Sequence, residues 1–372
     1  MHKQLSISKN LKTFTLTILT VCILLLSSSV LADDSLLGDP PSILNNNKIP
    51  SKVESEAQNK LQAANNYSTY LPLILRSQDS AFLNIQNRQV SLDFYQQQYL
   101  TSQGVAMNWT GNHSSCSPGS TDLNFRVAVL RRVNYFRAMA GVPASVTFSD
   151  DSNRKAQAAA LMMSVNKTLN HDPPVSWLCY SSDGHSGAGS SNLSLGAYAW
   201  DAITLYMKDP GTGNYFAGHR RWILYPQTQV MGTGDIPPVQ SYPASNSLVV
   251  FDTHIWEQRP ATRETFVAWP PPGYVPYQVV FPRWSFALAN ADFSKASVTM
   301  ASGGSNLSVT LAKLETGYGE NTLVWIPMGL NDGAAWPVPT QDTTYSVSIH
   351  NVLVNNQSSD YQYNVTVFNP GP

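Results

Sequence analysis

Apolar residues change their spacing along the chain, and each change marks a different kind of element. Phe125, Val129, Val133, Phe136 and Ala140 recur at helical spacing, with Arg131, Arg132 and Arg137 between them. Gly141 followed by Pro143 supplies the stop. A second helix is expected to begin near Ser149, Asp150 and Asp151, residues suited to a helix N-terminus. It runs through the alanine-rich residues 156–163 and stops before Pro173. A loop holding Cys179, Gly184, Gly187 and Gly189 follows, then a third helix over about residues 197–208 that ends at Asp209-Pro210-Gly211. Next come short β-like runs at 221–224, 229–232 and 247–256. Helices first and strands after predict an α+β layer arrangement.

Beyond Pro270-Pro271-Pro272-Gly273 the apolar period becomes two, in residues 296–300, 307–311, 322–326, 344–349 and 361–368. Turn clusters separate these runs: Ser302-Gly303-Gly304, Asn331-Asp332-Gly333 and Asn355-Asn356. The pattern predicts an all-β, antiparallel, immunoglobulin-like sandwich. It contains no cluster of ionisable residues, so it reads as a binding or spacer module.

The N-terminal region has a different character. Residues 1–32 combine Lys3, Lys9 and Lys12, an apolar run over 14–26, and the ending Ser-Ser-Ser-Val30-Leu-Ala32. This is the pattern of an export signal cleaved after Ala32. The run is shorter than the roughly 20 apolar residues of a membrane span. Residues 33–78, rich in Asn, Ser, Gln and Pro, read as a flexible leader. The expected organisation is therefore signal peptide 1–32, leader 33–78, helix-and-sheet domain 79–268 and β-sandwich domain 269–372. The mature chain is expected to be secreted and extracellular, with no membrane span.

Composition narrows the field. Of 372 residues, 42% are hydrophobic and 13% charged, which rules out wholesale disorder. The formal net charge is -1, and without the three lysines of the signal 20 basic residues face 24 acidic ones. That balance argues against a nucleic-acid partner. Cys22 leaves with the signal. The remaining pair, Cys116 and Cys179, is expected to form a disulfide in an oxidising compartment rather than to ligate a metal.

Candidate chemistry concentrates between residues 171 and 219. His171 follows the second helix, Asp209 ends the third, and His219 lies in Ala217-Gly218-His219-Arg220-Arg221-Trp222, entering one of the β-like runs. Two imidazoles and a carboxylate are a donor set for a divalent metal such as zinc, with coordination positions left open.

Several motifs in order resemble the CAP superfamily of cysteine-rich secretory, antigen 5 and pathogenesis-related proteins, in a bacterial secreted form. Asn134-Tyr135-Phe136-Arg137 with Gly141-Val142-Pro143 is similar to the family's first-helix Asn-x-x-Arg and following Gly-x-Pro. Residues 156–160 resemble its alanine-rich second helix, after which His171 stands where the first cavity histidine is found. Ser191-Asn192-Leu193 takes the place of Glu-Asn-Leu. Ala202-Ile203 with Tyr206 and Asp209 resembles Ala-Val with Trp-x-x-Glu, and Gly218-His219 matches Gly-His. Met231-Gly232-Thr233-Gly234 resembles the closing glycine-containing strand. The likeness spans about residues 90–260 and implies an α-β-α sandwich.

The same resemblance implies a cavity lined by His171, Ser191, Asn192, Asp209 and His219. Where the family places two glutamates, this chain has Ser191 and the shorter Asp209, which weakens the case for zinc. Arg220 or Arg221 is expected either to neutralise Asp209 or to be exposed strand charge. The function expected is a secreted extracellular binding module for a lipid, metal or protein ligand. The alternative is a metal-dependent hydrolase using His171, Asp209 and His219. A serine variant, with Ser191 as nucleophile, His219 as base and Asp209 as orienter, lacks the Gly-x-Ser-x-Gly elbow.

Overall fold

Capping groups start the helices where the sequence offers them, in a computed structural model that describes residues 36–42 and 82–371. The expected export signal and residues 43–78 of the leader lie outside that range. Helix α1 (Arg88–Phe94) begins at Asn87, whose side chain accepts from the N–H groups of Gln89 and Val90. Helix α2 (Leu123–Ala140) buries Phe125, Val129, Val133, Phe136 and Ala140, and ends at Gly141, whose φ of 75° favours glycine. Helix α3 (Asp150–Asn166) starts on Ser149, which accepts from Ser152 N–H, with Asp150 and Asp151 in its first turn.

Two elements differ from the sequence expectation. The glycine-rich loop is helix α4 (Ser182–Gly189), capped by Ser181. Its small residues let it lie against α3, since a Cβ on Gly187 would stand 2.3 Å from the Lys155 carbonyl oxygen. After helix α5 (Ala199–Lys208), residues 221–224 are not a strand. Most of them belong to helix α6 (Gly218–Ile223), whose first N–H groups are held by a carboxylate described below.

The first sheet has four strands, β1 (Thr147–Phe148), β2 (Ser191–Leu195), β3 (Val230–Ile236) and β4 (Ser245–Val249), in the order β1-β3-β4-β2. Only β1 and β3 run parallel; the other pairs are antiparallel. Leu193 of β2 packs with Ala159, Met163 and Ala188 from α3 and α4 on one face. Met231 and Leu248 join Phe125, Ile203 and Trp222 from α2, α5 and α6 on the other. Helices therefore cover both faces.

The remaining strands are β5 (Val267–Trp269), β6 (Gly273–Pro276), β7 (Trp284–Ala287), β8 (Ala291–Asp292), β9 (Ser297–Ser302), β10 (Ser305–Leu307), β11 (Val309–Leu311), β12 (Thr322–Pro327), β13 (Thr343–Val354) and β14 (Gln357–Phe368). They make two sheets, β10-β9-β13-β14-β6 with β8 also on β13, and β11-β12-β7-β5. The sheets face each other across an aromatic core: Trp284 of β7 lies 5.9 Å from Tyr345 of β13, and Trp325 Nε1 of β12 donates to Met300 of β9. One pair, β14 with β6, is parallel rather than antiparallel. The whole is α+β, a helix-covered sheet followed by a β-rich region.

The two regions share one hydrophobic core. Strand β5 spans the boundary expected at 268/269, and its Trp269 lies 5.2 Å from Phe136 of α2. Cys116 and Cys179 are joined, as the cysteine count predicts, across a separation of 63 residues. Among the described residues no helix is long and apolar enough to cross a membrane.

Candidate functional site

Asp209 organises the centre of the helix-covered sheet. It ends α5 in the left-handed region at φ 55°, fully buried. One carboxylate oxygen accepts from the backbone N–H of His219 (3.0 Å) and of Arg220 (3.3 Å), and the other from His219 Nδ1–H (2.8 Å). These contacts satisfy N–H groups that a helix start leaves without partners. They also orient the fully buried His219 ring so that Nε2, which has no hydrogen-bond partner among the described residues, is the free nitrogen.

The ring of Tyr206 stacks on His219 at 5.4 Å. Its hydroxyl donates to Asn192 O and Asn246 Oδ1, while Asn192 Nδ2 donates to His219 O. Asn246 continues to Asp235, whose carboxylate also accepts from Thr233 Oγ1 and from Ala199 N–H at the start of α5. Burial raises the Asp235 pKa, and those hydrogen bonds oppose the rise.

The other expected residues divide. Asn192 joins this network. Ser191, one position along β2, projects to the opposite face with Leu193, as strand alternation requires. Its hydroxyl receives a hydrogen bond from Ser247 Oγ at 2.8 Å, so the serine-nucleophile arrangement does not form. His171 lies near His219. Burial lowers the His171 pKa, against the raising effect of the carbonyls of Ala188 and Asp39. Its Nδ1 lies 2.6 Å from Ala188 O and its Nε2 contacts Asp39 O, so both nitrogens face backbone acceptors.

The metal expectation therefore meets a physical obstacle. Asp209 spends its oxygens on α6, and both His171 nitrogens already face carbonyls. Among the described residues no group of three His, Cys, Asp or Glu is placed to hold a metal ion.

Arg220 and Arg221 are not exposed strand charges: both are buried in α6. Arg220 donates to Met207 O, Arg283 O and Ser285 Oγ, and Arg221 to Glu315 O and Glu320 O. Arg283 in turn donates to Asp209 O and Gly211 O. Burial lowers the pKa of Arg220 to about 9, with Asp209 opposing the fall. The arginines thus fasten the β-rich region to the back of the site.

Sequence reasoning gave no role here to residues 36–42, within the expected leader. They lie across the site as an extended strap. Leu36 O accepts from Leu195 N–H (2.9 Å), and Gly38 N–H donates to Leu193 O (3.3 Å), adding a short antiparallel pairing to β2. Asp39 O contacts His171. Pro40 packs where a Cβ on Gly218 would be, 2.2 Å from its Cγ. Trp222 Nε1 donates to Pro41 O at 2.5 Å, and Ser42 shares a hydrogen bond with the Tyr318 hydroxyl. Leu37, Pro40 and Pro41 are buried. Two leucines and two prolines inside a polar leader were the available signal.

The model of CAP, the Cysteine-rich secretory protein family, matches residues 130–238. That stretch is a CAP domain. It begins within α2, ends just past β3 and holds all five candidate cavity residues; the strap and the facing β-sheets lie outside it. No curated protein matches the chain.

Among solved structures, PcoC, a methionine-rich copper resistance protein from Escherichia coli, is 15% identical with a TM-score of 0.21. The match covers 27% of this chain and 92% of that one. CopC from Methylosinus trichosporium OB3b is 13% identical, also at 0.21, over 28% of this chain and 92% of that one. Scores this low carry no argument about the CAP domain or the β-rich region.

A cavity of about 590 Å³ opens elsewhere on the CAP domain, beside the disulfide and lined by Arg126, Asn153, Gln157 and Thr233 among others. It includes neither cavity histidine nor Asp209.

Proposed function

We propose that the protein is a secreted, extracellular binding protein, and that the groove its strap fills, between β2, His171 and α6, receives an extended stretch of polypeptide. The observation that carries this reading is the strap: an extended segment lies in the groove, joined to an edge strand through its backbone and to the wall through its prolines. Strand addition of this kind draws affinity from main-chain hydrogen bonds and specificity from side-chain pockets. The β-rich region, which we read as an immunoglobulin-like spacer, braces the groove from behind through Arg220, Arg221 and Arg283. The charge balance is our ground for expecting no nucleic-acid partner.

The test uses a full chain whose strap is loosened by Leu37→Asp, offered three probes: the fluorescent peptide Leu-Leu-Gly-Asp-Pro-Pro-Ser, zinc, and lipid vesicles containing sterol. The expected result is saturable binding of the peptide. Stoichiometric zinc or lipid binding without any peptide binding would overturn the reading in favour of the other ligand classes. N-terminal sequencing of protein exported by a bacterial host should begin at Asp33.

A further inference from the structure

We infer that residues 36–42 are a tethered occupant that keeps the groove shut, and that the external partner is a protein segment of matching chemistry: extended, with leucine and a small residue ahead of two prolines. The inference rests on the reading of the groove as a peptide site. It goes further by stating what fills the site in the resting chain and what must displace it.

Each part of the strap meets a feature that selects for it. Gly38 approaches Leu169 so closely that an added Cβ would stand 3.2 Å from the Leu169 Cβ. Pro40 needs the missing Cβ of Gly218; any side chain there would meet both the proline and Phe216. Pro41 presents its carbonyl to the indole of the buried Trp222. Prolines suit this path because they hold an extended backbone and have no N–H to leave unpaired. The two strap groups that pair with β2, Leu36 O and Gly38 N–H, are main-chain atoms that any extended chain could supply. Recognition of a foreign segment would therefore reuse the same partners, and only one segment can occupy them.

Occupation in cis has a measurable consequence. The apparent Kd of an external peptide equals its intrinsic Kd divided by the fraction of molecules with the groove open, so a strap docked nine-tenths of the time weakens binding about tenfold. The experiment titrates the labelled peptide Leu-Leu-Gly-Asp-Pro-Pro-Ser into the full wild-type chain and into two separate strap variants, Leu37→Asp and Pro40→Asp, with fluorescence anisotropy as readout. The Trp222 indole N–H resonance reports whether the strap is docked, and the urea midpoint of each variant shows that the body remains folded.

Binding at least about tenfold tighter in both variants, with a shifted Trp222 signal before peptide is added, is the expected result. Equal affinity in all three proteins overturns the tethered-occupant inference and leaves the peptide-groove reading standing. No binding to any of them overturns that reading, and the inference with it.

Discussion

Replacing Asp209 by Asn isolates what the buried carboxylate does. Asn has nearly the same shape and tolerates the left-handed backbone at this position (φ 55°), so the substitution adds little strain. Three hydrogen bonds now end on a charged acceptor: two from the backbone N–H groups of His219 and Arg220, one from His219 Nδ1–H. If the Asn oxygen keeps the two backbone donors, its NH2 group points at His219 Nδ1. That nitrogen must then accept, and the proton moves to Nε2.

Hydrogen bonds to charged groups contribute about 1.5–3 kcal/mol and neutral ones about 1, so the three together lose about 1.5–6 kcal/mol. Arg220 also loses a nearby opposite charge. Urea unfolding measures the loss, and long-range ¹H–¹⁵N spectra of the imidazole report the tautomer. A stability change below about 0.5 kcal/mol, with the proton still on Nδ1, would refute the assignment of Asp209 as the group that both starts α6 and orients His219.

Two further outcomes follow from packing and protonation. Gly234→Ala places a Cβ 2.1 Å from the Ala156 carbonyl carbon of α3, so helix and sheet must separate. A loss of about 1–3 kcal/mol is expected in urea unfolding, while Gly303→Ala, with nothing within 4 Å but a φ of 57°, should cost less. Burial lowers the pKa values of His171 and His113 below 6.5, so the unfolded chain takes up their protons first as pH falls. Stability from these groups should be complete above pH 6.5 and decline as pH drops below it; the double variant His113→Gln, His171→Gln should show a flatter profile by urea midpoint.

Much of the fold was legible because it rests on local rules. Helices α2, α3 and α5 announced themselves through apolar spacing, the Ser149 cap and the Gly141 stop. The later strands showed themselves through alternation, and Cys116 and Cys179 through their number. What was not legible depends on distant partners. Ser182–Gly189 has few good helix formers, and becomes α4 because its glycines fit against α3. Gly218–Ile223 looked β-like, yet Asp209, ten residues earlier, turns it into a helix. Of the cavity candidates, Asn192, Asp209 and His219 meet directly and His171 stands close by, whereas strand alternation sends Ser191 to the other face. Arg220 and Arg221 could be read only as charges, since nothing local reveals that carbonyls sixty or more residues away, those of Arg283 and Glu315, receive their hydrogen bonds.

An open sheet has two borders, and each is a place where another molecule's backbone can attach. Here one border, Thr147–Phe148, is trimmed to two residues, while the other, Ser191–Leu195, is sealed by residues 36–42. Removing the chain up to residue 42 would therefore bare main-chain donors and acceptors on that strand, and two such shaved molecules would each offer the other the hydrogen bonds it had lost. Storage and handling of clipped material should depend steeply on concentration, in a way that intact protein does not.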